Sequence, residues 1–207
     1  MRTNVYIDGF NLYYRAIKGT TYRWLDLGKL SQLLLPHHQI SRIRYFTALV
    51  IARPDDPTQP QRQQTYLRAL ETIPNLTIHR GHFMSNTTRR LLVTPPVNGS
   101  RFAEVWDTKE KGSDVNLASY LLLDGFTNDY EMAVVISNDS DLQLPISMVR
   151  TKLDKIVGVI DPSPKRSFEL SSAASWYRSL RQGPLSVSQF SPTLNDAQGV
   201  ISKPPTW

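Results

Sequence analysis

Apolar positions along the chain alternate between two patterns. Short, nearly continuous apolar runs are the mark of strands buried on both faces, and between them lie segments whose apolar residues recur every three or four positions. NVYID (4–8) reads as a buried strand, and Asn11 to Lys18 as a helix closed by Gly19. Residues 26–35 keep helical spacing up to Pro36, and SRIRYFTALVI (41–51) is a strand entering the core. Pro54, Pro57 and Pro60 mark a loop, after which Leu67, Leu70 and Ile73 place a helix over 61–73, stopped by Pro74. LTIHRGHF (76–83) is the next strand. The polar stretch 84–101 reads as a hairpin or a mobile flap, and FAEVW (102–106) as a short strand. A helix is expected over 114–126, with Val115, Ala118, Leu121, Leu122 and Phe126 facing inward. MAVVIS (132–137) and KIVGVID (155–161) are buried strands on either side of a helix (139–151) interrupted at Pro145. A short helix (168–174) and an edge strand (175–180) follow.

Strands alternating with helices predict parallel strands joined by crossover helices. The expected architecture is one three-layer α/β domain over residues 1–182, with a mainly parallel central sheet flanked by helices. Residues 183–207 form a C-terminal extension without periodicity, yet they carry Leu185, Val187, Phe190, Val200, Ile201 and Trp207. A free tail and a segment laid along the domain surface both remain open.

Composition adds limits. The 207 residues suit one domain with a sizeable core. No apolar stretch reaches the ~18 residues that span a bilayer, so no membrane association is expected. The N-terminus runs straight into a strand without a signal region. The absence of cysteine excludes disulfides, Cys-zinc sites and thiol catalysis, and fits a cytoplasmic protein. A net charge of +6 suits a polyanionic partner such as RNA or DNA, with a merely solubilising surface as the alternative.

Candidate chemistry is concentrated in YIDGFNLYY, KGSDVNLA and VVISNDSDL. Asp8, Asp139 and Asp141 follow apolar strands, and Asp114 opens a helical pattern. An α/β fold gathers such positions at one edge of its sheet, where ligands bind. Carboxylates brought together without basic partners repel unless a divalent cation joins them, and hard oxygen donors favour magnesium or manganese. Each acid also has a plain structural role available, since Asp and Asn cap helices and acids suit first turns. Asn11 can cap its helix or orient a carboxylate. Lys109 and Lys111 can grip a phosphate or form a solvated charge run.

Other chemistries lack their motifs. There is no GxxxxGK[ST] and no GxGxxG after a strand, so no organic cofactor is expected. His79 and His82 lie three apart on a strand and point to opposite faces, which disfavours a paired-histidine ribonuclease.

The three acidic stretches, in this order and spacing over roughly residues 3–180, resemble the NYN domain, a branch of the PIN-like nuclease superfamily. The final stretch SQFSPTLNDAQGVISKPPTW is also similar to tails that follow bacterial NYN domains. The resemblance implies a Rossmann-like parallel sheet, a magnesium or manganese site and ribonuclease activity. It implicates Asp8, Asn11, Asp114, Asp139 and Asp141 as catalytic, the four aspartates also being candidate metal ligands. Arg89, Arg90, Lys109 and Lys111 are candidate phosphate contacts on RNA, and Tyr13 or Tyr14 a base-stacking residue. The leading expectation is a metal-dependent endoribonuclease. A non-catalytic RNA- or protein-binding PIN-like module is the rival, and a small-molecule phosphohydrolase a third reading. A homo-oligomer is compatible with all three.

Overall fold

The computed structural model describes Met1–Trp207. Its elements in chain order are β1 (Arg2–Asp8), α1 (Gly9–Leu12), a π-helical turn (Tyr13–Ile17), α2 (Leu27–Leu34), β2 (Gln39–Ala48), α3 (Gln59–Leu70), β3 (Leu76–Leu91), β4 (Phe102–Lys111) and α4 (Ser113–Phe126). There follow β5 (Met132–Ile136), a 3₁₀ turn (Ser140–Leu142), α5 (Gln143–Lys152), β6 (Ile156–Asp161), α6 (Phe168–Ala173), β7 (Trp176–Ser179), α7 (Gln182–Val187) and the hairpin β8 (Thr193–Asp196) and β9 (Gly199–Ser202).

The main sheet has seven strands in the order β4-β3-β2-β1-β5-β6-β7. All neighbouring pairs are parallel except β3 and β4. The chain winds outward from β1 through β2 and β3, then returns to the other side of β1 with β5. The order therefore reverses between β1 and β5, the place where open α/β sheets bind ligands. Both strands are buried on both faces, as their unbroken apolar sequences require.

Alternation along β1 divides the core. Val5 and Ile7 join Val134 and Ile136 on one face, packed against Trp24, Leu30, Tyr66 and Leu70. Tyr6 joins Ala133 and Val135 on the other, packed against Leu117, Leu121, Ile146 and Leu170. Helices thus cover both faces of the sheet. No helix is long and apolar enough to cross a membrane.

Several elements differ from the sequence reading, each for a local reason. The first helix begins at Gly9, because Asp8 itself caps it by accepting from Asn11 N. Pro60 and Pro145 lie in the first turns of α3 and α5, where the missing N–H has no intrahelical partner to lose, so neither breaks a helix. Of the two readings of 84–101 the hairpin holds: β3 runs on to Leu91 and pairs antiparallel with β4, residues 92–101 connect the two, and β4 extends past FAEVW to Lys111. Helix α4 buries Leu117, Leu121, Asp124 and Gly125, while Val115 and Phe126 are 68% and 79% exposed. Asp124 faces inward because Arg44 clasps it through two nitrogens, at 2.7 and 2.8 Å, and Tyr6 donates to it at 2.7 Å. An apolar count cannot anticipate a buried ion pair that displaces apolar residues from the inner face.

Residues 182–207 pack against the first core face. Leu185, Phe190 and Ile201 are buried there, the Trp24 indole donates to Ser191 O at 2.8 Å, and Arg68 pairs with Asp196.

Candidate active site

Asp8 ends β1 just after Ile7, whose register partner on β5, Ile136, directly precedes Ser137. The carboxylate is nearly buried and held through both oxygens. Oδ1 accepts from Asn11 N at 2.9 Å, and Oδ2 accepts from the Ser137 hydroxyl at 2.9 Å. Gly9 lets the chain leave the strand against its neighbour, since a Cβ there would come within 2.7 Å of Phe46 O and the Tyr45 ring.

The loop after β5 is bound to the same corner. Asn11 Oδ1 accepts from Asn138 N at 2.9 Å, Ser137 Oγ accepts from Asp139 N at 3.0 Å, and Asp139 Oδ1 accepts from Asp141 N at 3.0 Å. Asp139 is thus an N-cap and a site carboxylate at once. Asp114 arrives from the first turn of α4, behind Gly112, whose φ of +98° favours glycine at that turn. Glu110 on β4 accepts from the Ser113 hydroxyl at 2.7 Å and steadies the helix start.

Carboxylate oxygens of Asp8, Asp114 and Asp139 all lie within 4.8 Å of one another. None of the three takes part in the protein's seven ion pairs. Burial pushes the Asp8 carboxyl up to about 7, with the charges of Asp114 and Asp139 adding to it against the two hydrogen bonds. Burial likewise raises Asp114 to about 6, assisted by Asp139, Glu110 and Asp141. Three hard oxygen donors that repel one another and lack a cationic side chain fit a small divalent cation. Asp141 is exposed and stands outside the close trio, and Asn11 acts through the backbone of Asn138.

The trio opens into a cavity of about 820 Å³, whose other walls include Phe10, Tyr14, Phe83, Trp106 and Glu110. Phe10 stacks on Tyr14 and meets Phe83 edge-on. Directly opposed residues share a face of the β3–β4 hairpin. Phe83 with Glu110, Ser85 with Thr108 and Thr87 with Trp106 therefore form the cavity side. Arg89 lies on that side near the tip, its guanidinium over Phe102. Lys109, Lys111 and Arg90 lie on the opposite side, where Lys109 and Arg90 both pair with Asp107. The sequence reading did not assign Phe83, Trp106 or Glu110 to the site. Extending the alternation of FAEVW through DTKEK would have placed Trp106 and Glu110 on one face. His79 is used structurally, stacked on Phe46 and held by Arg44 at 3.0 Å.

The sequence matches the NYN domain over residues 2–181. The whole chain aligns at 32% identity with 6-hydroxy-3-succinoylpyridine 3-monooxygenase HspA of Pseudomonas putida, covering 75% of that protein's length. A crystal structure of a protein of unknown function from Vibrio parahaemolyticus superposes with a TM-score of 0.57 at 14% identity, over 87% of this chain and 93% of that one. With the family match extending over nearly the whole sheet and all three aspartates, the chain belongs to the NYN domain family.

Proposed function

We propose that this protein is a divalent-metal-dependent hydrolase of RNA phosphodiester bonds, built on a Rossmann-like sheet of the PIN-like kind. The observation that carries this reading is the convergence of Asp8, Asp114 and Asp139, uncompensated by any basic side chain, at the point where the strand order reverses. Magnesium or manganese, held by these three, would supply charge neutralisation at the phosphate and a more acidic water. Asp8 is fixed through both oxygens and sets the position of the site. The Asp114 side chain makes no hydrogen bond within the protein, so its oxygens stay open to the cation and to a proton from water. Asn11 locks the loop that carries Asp139. Asp141 adds negative charge beside Asp114.

On this reading the aromatic cavity walls stack unpaired bases, a sequence-tolerant way to hold single-stranded RNA. Arg89 is the hairpin cation on the same side. Lys109, Lys111 and Arg90 would meet phosphates only along the other side of the hairpin. Incubation of single-stranded RNA, DNA and a small phosphate diester with the purified protein, with metal or with EDTA, tests the reading. Cleavage of RNA only with metal is expected, and an inert RNA in every metal condition overturns it.

A second reading comes from the relative named as a monooxygenase. Its name describes oxygenation of a pyridine ring, and the cavity beside the aspartates here has aromatic walls of suitable size. Such a reaction consumes dioxygen and two electrons from a reductant. Oxygen uptake that depends on a hydroxypyridine and a reductant, without RNA cleavage, would favour it.

A further inference from the structure

A second cavity, of about 370 Å³, adjoins the first across Phe10 and Tyr14 but excludes all three site aspartates. Its size falls within the usual range for small-molecule sites. Tyr13, Tyr45, Tyr66 and Trp207 supply aromatic walls, with Trp207 set edge-on to Tyr66 at 5.8 Å. Three cations line the space, but their charge is not equally available. Arg62 is already bound to Asp56 and Thr58. Lys18 and Arg23 take part in no ion pair. Lys18 Nζ stands 5.0 Å above the Tyr14 ring. Arg23 Nε is shielded from solvent and has no hydrogen-bond partner, a condition native structures rarely leave unexplained.

The backbone points the same way. Tyr13, Tyr14, Ile17 and Lys18 reach this cavity from the π-helical turn and its end. Such turns are rare and occur frequently at functional sites, because the extra residue swings side chains off the α-helical face.

We propose that this cavity binds a planar aromatic ring bearing an anionic arm. The ring would lie against the tyrosines and Trp207, and the anion would take the charges of Lys18 and Arg23. Two sources share that chemistry: a nucleotide of a strand leaving the aspartate site, and a free aromatic carboxylic acid. The proposal does not depend on which reaction the aspartates perform.

Tryptophan fluorescence titrations in EDTA with AMP, adenosine, nicotinate and nicotinamide test it. Saturable binding of AMP or nicotinate is expected, at least tenfold tighter than that of its uncharged counterpart. AMP alone would identify the nucleotide source, nicotinate alone the free acid, and either supports the site. Lys18→Ala, at an exposed position, and Arg23→Gln should each weaken binding at least tenfold, while Asp139→Asn should leave it unchanged. Absence of saturable binding by either anion, or unaltered affinity in Lys18→Ala and Arg23→Gln, overturns the proposal.

Discussion

Ser137 donates its hydroxyl proton to Asp8 at 2.9 Å, although 129 residues separate them. The same oxygen accepts from Asp139 N, so one side chain sets two of the three site carboxylates. Replacing Ser137 by Ala leaves a buried carboxylate oxygen and a backbone N–H short of a partner. The expected cost is about 1–3 kcal/mol of stability. Metal affinity should fall on the order of 10–100-fold, the usual effect of losing a group that orients a ligand. Thermal melting and manganese titration of Ser137→Ala measure both. A variant that melts and binds manganese like the wild type would separate Ser137 from the site.

Proton binding to the metal-free protein gives a second prediction. Folding raises the Asp8 carboxyl from 3.8 to about 7, and Asp114 from 3.8 to about 6. In this interval the folded state binds more protons than the unfolded one, so stability falls as pH rises. For Asp8 alone the loss is on the order of 4 kcal/mol between pH 4 and 7. Asp8→Asn keeps an acceptor for Asn11 N and removes the charge. Its melting temperature in EDTA should exceed that of the wild type at pH 8 and vary less with pH. Parallel pH–stability curves for the two proteins would contradict the raised carboxyl.

Asp139 has a capping role that Asn can fill about as well. Asp139→Asn should therefore fold normally and melt slightly higher without metal, because one repelling charge is gone. Metal at 100-fold over its dissociation constant should stabilise the wild type by about 2.7 kcal/mol. The variant should lose most of that gain. Equal manganese-induced shifts in both proteins would make Asp139 a cap alone.

The hairpin separates stacking from charge. Trp106 is 75% exposed on the cavity side, so Trp106→Ala should leave stability nearly unchanged. It should weaken single-stranded RNA binding by about 1–3 kcal/mol. Arg89→Ala should reduce the salt dependence of binding by roughly one phosphate contact. Arg90→Ala should do less, since Arg90 is held by Asp107 on the far side. Filter binding at several salt concentrations distinguishes the three. A larger loss from Arg90→Ala than from Trp106→Ala would place the RNA on the other side.

The sheet was legible because continuous apolar runs such as MAVVI admit few structures other than buried strands, and parallel order follows from the helices between them. The convergence of the aspartates was legible for the same reason, as strand ends collect at one edge. What sequence patterns do not carry is long-range polar pairing. Asp124 occupies an inner helical position only because Arg44, distant in the chain, is there to meet it. The sequence leaves hairpin and flap open over 84–101 because both faces of the hairpin's outer half are exposed, which leaves few apolar residues to mark the period. The places of Trp106 and Glu110 depend on strand parity carried past the end of FAEVW, where the apolar signal stops.

The account rests on Asp8, Asp114 and Asp139 acting together through one cation. Its most direct test is the manganese dependence of single-stranded RNA cleavage by the wild type and by Asp8→Asn, Asp114→Asn and Asp139→Asn, each shown to be folded. The predicted result is saturable, EDTA-reversible cleavage by the wild type and loss of at least a hundredfold in every variant. Cleavage that persists in EDTA, or that survives all three substitutions, would contradict it.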